Sequence, residues 1–261
     1  MMIKQKEKKK AKFRVSFLFL FIFASFAVCF VLYMKEDFEI SSDMIPKTED
    51  AIVYVEPVGN INSVVNPVPR SEKAGNDHYS DAVFVGSTVL SGLSDYGYVK
   101  SDNMLLSDSI GLGNFNTVIL SANGIESEIA DAVVRKKAGK LYIMVGIDDL
   151  NSMDSADLFS ELEAFIGSME EKSGSTEIYL MSLLPVTSEN ESRLAFNADV
   201  DMYNSLLLEF ANKMNVYYLD VNTNFKGNDG KLPSSYTEVN GIRLKEAGYK
   251  QLSEYILTHT G

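Results

Sequence analysis

The chain has 261 residues, of which 46% are hydrophobic and 11% aromatic, enough for one domain with a substantial core and additional segments. The first 35 residues hold eight of the 24 basic residues and one of the 36 acidic residues, so the other 226 residues carry a net charge of −19. This charge excludes a nucleic-acid backbone as the partner of the main domain, because phosphate contacts need clustered lysine and arginine. The only cysteine, Cys29, excludes an intramolecular disulfide and a metal site made of several cysteines.

The N-terminal segment combines a basic tail, residues 1–14, with residues 15–34, which contain no charged side chain. Twenty helical residues span about 30 Å, the thickness of the hydrocarbon core of a bilayer. Acidic residues follow, so the distribution of charge predicts a single-pass protein of the cell membrane with a cytoplasmic N-terminus and an extracellular main domain. A cleaved signal peptide is the competing interpretation, and its apolar region is usually shorter. Lipid attachment at Cys29 is disfavoured because Val28 stands where a small residue is expected before a lipid-modified cysteine. We therefore favour an uncleaved transmembrane anchor.

Residues 35–78 carry four of the six prolines of the chain, together with many small polar and acidic residues. This composition predicts an extended linker between the membrane and a domain formed by residues 79–261.

From residue 79 onward, short apolar runs alternate with segments of helical periodicity. The alternation predicts an α/β domain with a parallel sheet and crossover helices. The predicted strands are 82–85, 104–106, 141–145, 178–183 and 216–219, and the predicted helices are 88–96, 126–137, 157–169, 198–214 and 248–257. Residues 117–120 also favour a strand, without a clear place in the sheet.

The domain is organised around residues 81–97, which read as a strand, a tight turn and a helix start. Gly86 permits a sharp turn, and Ser87 and Thr88 suit a helix N-terminus. An α/β enzyme places a nucleophile or binds an anion at such a turn, because backbone N–H groups point outward there.

Several blocks in this order resemble the SGNH/GDSL hydrolases, in particular their membrane-anchored, extracytoplasmic members in Gram-positive bacteria. The resemblance covers about residues 77–261 and depends on blocks such as HYSDAVFVGSTVLSGLSDYG, KLYIMVGIDDL and DGKLPSSYTEVNGIRLKEAGYKQLSEYI. It implies a flavodoxin-like three-layer α/β/α sandwich with a parallel sheet, here preceded by the transmembrane helix. It also implies hydrolysis or transfer of an acyl ester, without a cofactor or metal.

In this family a serine attacks the ester, a histidine takes its proton, an aspartate orients the histidine, and glycine and asparagine bind the oxyanion. Carried over by resemblance, the nucleophile position is Thr88, the orienting-acid position Asn240 and the base position Arg243. The oxyanion positions are Asp148 and Gly111, with Gly113 as an alternative to Gly111. All except the glycine are substituted, and arginine cannot accept a proton at physiological pH.

The two histidines of the chain, His78 and His259, lie before the first predicted strand and in the last residues. Neither position favours a replacement base, because the site of such a fold lies at the carboxyl ends of the strands. Asp148 and Arg243 fall on positions that meet in the family, so we hypothesise an ion pair between them. The alternative is that each points into water. The acids around Asp148 read as a solvated loop rather than a cation site.

Three functions remain open. The first is an inactive or impaired esterase relative that binds an envelope glycan or acylated ligand at the cell surface. The second is an active acyl esterase or acetyl-transfer enzyme that uses Thr88 as nucleophile. The third is an anion site formed by Ser87, Thr88 and Arg243 at the helix N-terminus.

Overall fold

The computed structural model describes residues 63–122, 124–152, 156–238, 241 and 243–261. The predicted transmembrane anchor lies outside these residues, as do the basic tail and most of the predicted linker. Among the described residues, no helix has the length and apolar character needed to cross a membrane.

The centre of the domain is a five-stranded parallel sheet. Its strands are short and almost entirely buried, as expected where helices cover both faces of a sheet. They are β1 (Ala82–Gly86), β2 (Met104–Leu106), β5 (Lys140–Met144), β6 (Glu177–Met181) and β7 (Tyr217–Leu219). Their order across the sheet is β2-β1-β5-β6-β7, the order of flavodoxin-like folds once the two intervening strands are set aside.

The helices are α1 (Gly92–Asp95), α2 (Ile129–Lys136), α3 (Ser160–Ser173), α4 (Asn197–Met214), α5 (Val221–Phe225) and α6 (Glu246–Leu257). Helices α2 and α3 pack against each other, whereas α1 and α5 both pack against α6. Since β1 lies between β2 and β5, the chain reverses direction across the sheet there. In open parallel sheets, ligands bind at the carboxyl ends of the strands next to such a reversal.

The predicted helix bounds differ from the structure in several places. The helix predicted at 157–169 is Ser160–Ser173, and the one predicted at 248–257 begins at Glu246. The helix predicted at 126–137 begins only at Ile129, because Ile125–Glu128 (β4) pairs antiparallel with Ile119–Ala122 (β3) as a separate hairpin. The β-prone run around residue 119 thus belongs to this hairpin and not to the central sheet. The helix predicted at 88–96 is a 3₁₀ turn, Thr88–Ser91, followed by the single-turn helix α1.

A ladder of aromatic rings crosses the sheet on one face. Phe84, Tyr142, Tyr179 and Tyr217 are neighbours in the strand register, and their rings stack with centroid separations of 4.8, 4.8 and 4.6 Å. Stacking of this kind adds to the free energy gained from burying the rings. The ladder fixes the relative positions of β1, β5, β6 and β7, and therefore of the loops that leave them.

Part of the predicted linker is attached to the domain. The side chain of Asn66 accepts a hydrogen bond from the Tyr218 amide at 2.7 Å and donates one to the Val216 carbonyl at 2.8 Å. The Val68 amide donates to the Tyr218 carbonyl at 2.9 Å. The segment around Asn66 thereby occupies the outer edge of β7, which would otherwise offer unpaired backbone groups.

Candidate active site

The turn after β1 has the tight bend and the helical start that the sequence predicts. Gly86 adopts φ = +130°, and a Cβ atom there would lie 1.9 Å from the Met144 carbonyl oxygen. The Ser87 amide donates to that same oxygen at 3.0 Å, and the Ser87 hydroxyl accepts a hydrogen bond from the Val89 amide. Only glycine fits this close crossing of β1 and β5. Thr88 therefore begins a helical turn at the carboxyl end of β1.

The Thr88 hydroxyl is hydrogen-bonded to a carboxylate. Its Oγ1 atom donates to Asp108 Oδ1 at 2.6 Å, and Asp108 is an exposed residue of the loop after β2. Sequence reasoning missed Asp108. The available signal was its position two residues after a strand adjacent to β1, because the carboxyl ends of neighbouring parallel strands meet at one edge. The nucleophile position thus has an acid as its hydrogen-bond acceptor, where the family has a histidine.

A cavity of about 340 Å³ opens beside Thr88 at this edge of the sheet. Its polar lining includes Ser87, Thr88, Asp108 and Asp148. Most of its wall is apolar and comes from the loop after β6 and from segments near the C-terminus: Leu183, Leu184, Val186, Leu194, Leu232 and Leu244. The volume lies within the range of about 300–1,000 Å³ for small-molecule sites. The described lining contains no lysine, arginine or histidine.

The amide of Gly111, at the predicted oxyanion position, already has an acceptor. It donates to Asn114 Oδ1 at 2.9 Å, and the next amide, that of Leu112, donates to Asp149 Oδ2 at 3.0 Å. Asp148 is exposed and lines the cavity. An oxyanion needs aimed donors, whereas this arrangement presents a carboxylate and two amides that already donate to Asn114 and Asp149.

Arg243, at the predicted base position, contacts a different acid from the one we hypothesised. Its guanidinium forms an ion pair with Asp95, the last residue of α1, and both side chains are about half exposed. The pair with Asp148 is therefore replaced by one with Asp95. Hydrogen bonds to Asp95 and to Tyr249 raise the pKa of Arg243 above its already high usual value. Arg243 is not among the described residues that line the cavity.

Neither histidine is among the described residues that line the cavity. Asn240, the orienting-acid position, lies outside the described residues. His78 lies before β1, at the opposite end of that strand from Thr88, and its Nε2 atom shares a hydrogen bond of 2.7 Å with the Tyr142 hydroxyl. Burial, followed by the charge of Lys140, lowers the pKa of His78. His259 follows α6 and stacks on Tyr255.

Two asparagines on α4 hold the apolar wall in place. Asn204 accepts from the Leu183 amide at 2.8 Å and donates to the Leu183 carbonyl at 3.0 Å. Asn197, two turns earlier on the same face, makes the same pair of bonds with Val186 at 2.8 and 3.0 Å. Both side chains are buried. The signal in the sequence was two polar residues seven positions apart on the inward face of an amphipathic helix.

The described residues contain no group of three or more potential ligands arranged around a metal ion. Asp148 and Asp149 belong to the same acidic loop, but Asp149 is directed toward the Leu112 amide.

A parallel sheet in flavodoxin-like order, with a cavity at the carboxyl ends of its strands, defines a flavodoxin-like α/β domain with a site at the usual edge of the sheet. The model of the GDSL-like lipase/acylhydrolase family matches residues 94–251, which is more than half of the chain. The chain therefore belongs to this family. The matched region begins after Thr88, so the assignment of the nucleophile position depends on the turn itself.

The similar solved structures belong to the same class. A protein assigned to the lipolytic G-D-S-L family from Desulfitobacterium hafniense is 15% identical, with 69% of this chain and 98% of that chain covered and a TM-score of 0.50. A GDSL-like lipase from Bacteroides thetaiotaomicron is 14% identical, with coverage of 66% and 83% and a TM-score of 0.48. An acetylxylan esterase from Geobacillus stearothermophilus is 12% identical, with coverage of 74% and 95% and a TM-score of 0.46. Comparison with curated proteins gives no significant match. At these identities the likeness concerns the fold.

Proposed function

We propose that this domain binds the apolar part of an envelope ligand in the cavity beside Thr88 and does not hydrolyse it by the serine mechanism of its family. The observation that carries the proposal is the lining of the cavity, which is mostly apolar and, among its described residues, contains no histidine to act as the base of the family's mechanism. The Thr88 hydroxyl donates instead to the Asp108 carboxylate, and Arg243 is paired with Asp95. An alcohol without a matched base is a weak nucleophile.

The proposed setting is the outer face of the cell membrane. Residues 15–34 would anchor the chain through one helix, with residues 1–14 in the cytoplasm and the domain outside. An envelope glycan carrying an acyl group, or another acylated molecule, would supply the apolar part of the ligand. The net negative charge of the domain argues against a nucleic-acid partner.

Binding can be tested by filling the cavity. Leu194 lines the cavity and is half-buried, so Leu194→Trp can place a large ring in it. We expect the full-length wild-type chain to bind octan-1-ol in isothermal titration calorimetry. The Leu194→Trp variant should bind at least about tenfold more weakly, because a ligand of this size gains most of its affinity from apolar burial.

Met202→Trp is the matched control, because Met202 on α4 is 48% exposed and does not line the described cavity. The chain has no natural tryptophan, so the fluorescence of each variant also reports whether its single indole is buried. Equal octan-1-ol affinities for Leu194→Trp and Met202→Trp would contradict binding in this cavity.

One observation favours an active enzyme as the second candidate. A carboxylate 2.6 Å from a hydroxyl can accept its proton, so Thr88 and Asp108 have the contact that a nucleophile and a general base require. Against it stand the Asp148 carboxylate on the cavity wall and the Gly111 amide that is bound to Asn114. Turnover that depends on both Thr88 and Asp108 would favour this candidate.

A further inference from the structure

The charged groups at the cavity are all acids. Asp108 and Asp148 both line it and both are exposed. Among the described residues, neither carboxylate forms an ion pair with a lysine or arginine, whereas seven other acids of this part of the chain do. The mouth of the cavity therefore carries two negative charges that no cationic side chain of the described lining offsets.

Three of the hydrogen-bond donors near the cavity are already used. The Thr88 hydroxyl donates to Asp108, the Gly111 amide to Asn114 and the Leu112 amide to Asp149. The charged groups that the lining offers to a ligand, the carboxylates of Asp108 and Asp148, act only as acceptors when ionised. A ligand with hydrogen-bond donors complements these carboxylates, whereas the negative charge of a carboxylate or phosphate ligand would be repelled by them.

Arg243, the cation at the family's base position, does not offset the negative charge of the described cavity lining. The Arg243 guanidinium forms its ion pair with Asp95 and lies outside the described lining. Of the anion site considered from the sequence, the described lining includes Ser87 and Thr88 but not Arg243.

We propose that the cavity takes a cationic amphiphile, that is, an alkyl or acyl chain joined to a protonated amine. The inference rests on the proposed binding function and adds the charge of the head group. The apolar wall formed by Leu183, Leu194 and Leu232 receives the chain, and the ammonium group lies between Asp108 and Asp148. Ammonium offers three donors and a positive charge, which complement the two carboxylates. The net charge of −19 outside the first 35 residues also attracts cations from solution.

The test compares three probes that share an octyl chain: octylamine, octan-1-ol and sodium octanoate. Each probe is titrated at pH 7 in low salt into the full-length chain, kept in detergent because of its predicted anchor. The full-length Leu194→Trp variant in the same detergent gives the background signal, which comes from partition of the probe into the detergent. We expect octylamine to bind at least about tenfold more tightly than octanoate, because one charge-assisted hydrogen bond makes about this difference in affinity. The affinity of octan-1-ol should lie between those of the two charged probes. The ratio should fall as salt is added.

The Asp148→Asn and Asp108→Asn variants should each reduce the ratio between octylamine and octanoate. Asp102→Asn is the matched control, because it removes the same charge from an exposed residue outside the described lining. Equal affinities for octylamine and octanoate, or a ratio unchanged in both cavity variants, would overturn the head-group inference. If the head-group inference fails but octan-1-ol still binds, the proposed binding function is retained. If none of the three probes binds above background, both proposals fail.

Discussion

Replacing Gly86 with alanine is expected to destabilise the domain by at least about 3 kcal/mol, a large fraction of the 5–15 kcal/mol typical of folded domains. Gly86 ends β1 with φ = +130°, a conformation that side chains rarely adopt, and the new Cβ would lie 1.9 Å from the Met144 carbonyl oxygen. That oxygen belongs to the backbone of the neighbouring strand and cannot turn away. The loss is measured as a shift of the urea midpoint in equilibrium unfolding.

Gly113→Ala is the matched control for this substitution. Nothing lies within 4 Å of a Cβ atom at Gly113, so alanine there should change the free energy of unfolding by less than about 1 kcal/mol. If Gly86→Ala were as stable as Gly113→Ala, the close crossing of β1 and β5 would be wrong. The position assigned to Thr88 would fall with it.

Replacing Asn204 with alanine is expected to cost about 2 kcal/mol and to weaken octan-1-ol binding. The substitution removes the acceptor of the buried Leu183 amide, and an unpaired buried donor costs about 1–3 kcal/mol. The Leu183 carbonyl keeps a bond of 2.9 Å from Asn222. Leu183 lines the cavity, so a looser Leu183 backbone changes the shape of the wall as well as the stability of the fold.

Asn212→Ala on the same helix separates this effect from a general loss of helix stability. Asn212 is exposed, and its side chain accepts a hydrogen bond of 3.2 Å from Asn66 at the surface. It should cost less than about 1 kcal/mol and leave octan-1-ol binding unchanged. Equal losses in the two variants would show that Asn204 does not hold the cavity wall.

The sheet could be predicted from the sequence because its strands are continuous apolar runs. The segment 141–145 was predicted as a buried strand, and the structure has β5 at Lys140–Met144. The β3–β4 hairpin could not be predicted in the same way. The residues of β4, Ile125–Glu128, continue into the apolar pattern that starts at Ile129, so local periodicity extends the helix. Pairing with β3 decides the outcome, and pairing is a tertiary interaction.

In the candidate site, too, the local backbone turn could be predicted from the sequence, whereas the partners of the side chains could not. The turn at Gly86 and Thr88 is local, and a glycine followed by two small hydroxyl residues indicates it. The partners of the side chains are not local. Asp108 is 20 residues from Thr88, and Asp95 is 148 residues from Arg243. The family pattern assigned Arg243 to the base position but gave no direction for a side chain much longer than histidine. It therefore could not predict the pair with Asp95.

The substituted positions together change what the site can bind. A family site presents donors to a developing oxyanion, whereas the cavity beside Thr88 presents the carboxylates of Asp108 and Asp148. Of the substituted positions, Asp148 adds negative charge to the cavity lining, and Asp108 adds a second carboxylate. The proposed loss of hydrolysis and the proposed preference for a cationic head group both depend on this lining.

The most direct test of this account is the hydrolysis of p-nitrophenyl acetate by the full-length chain, compared with its Thr88→Ala variant. The account predicts that the wild-type chain releases p-nitrophenol no faster than Thr88→Ala, whereas a working esterase would turn over at about 1–1,000 s⁻¹. Octan-1-ol binding by the same two samples confirms that the cavity is intact in each. Turnover by the wild-type chain that is lost in Thr88→Ala would contradict the account.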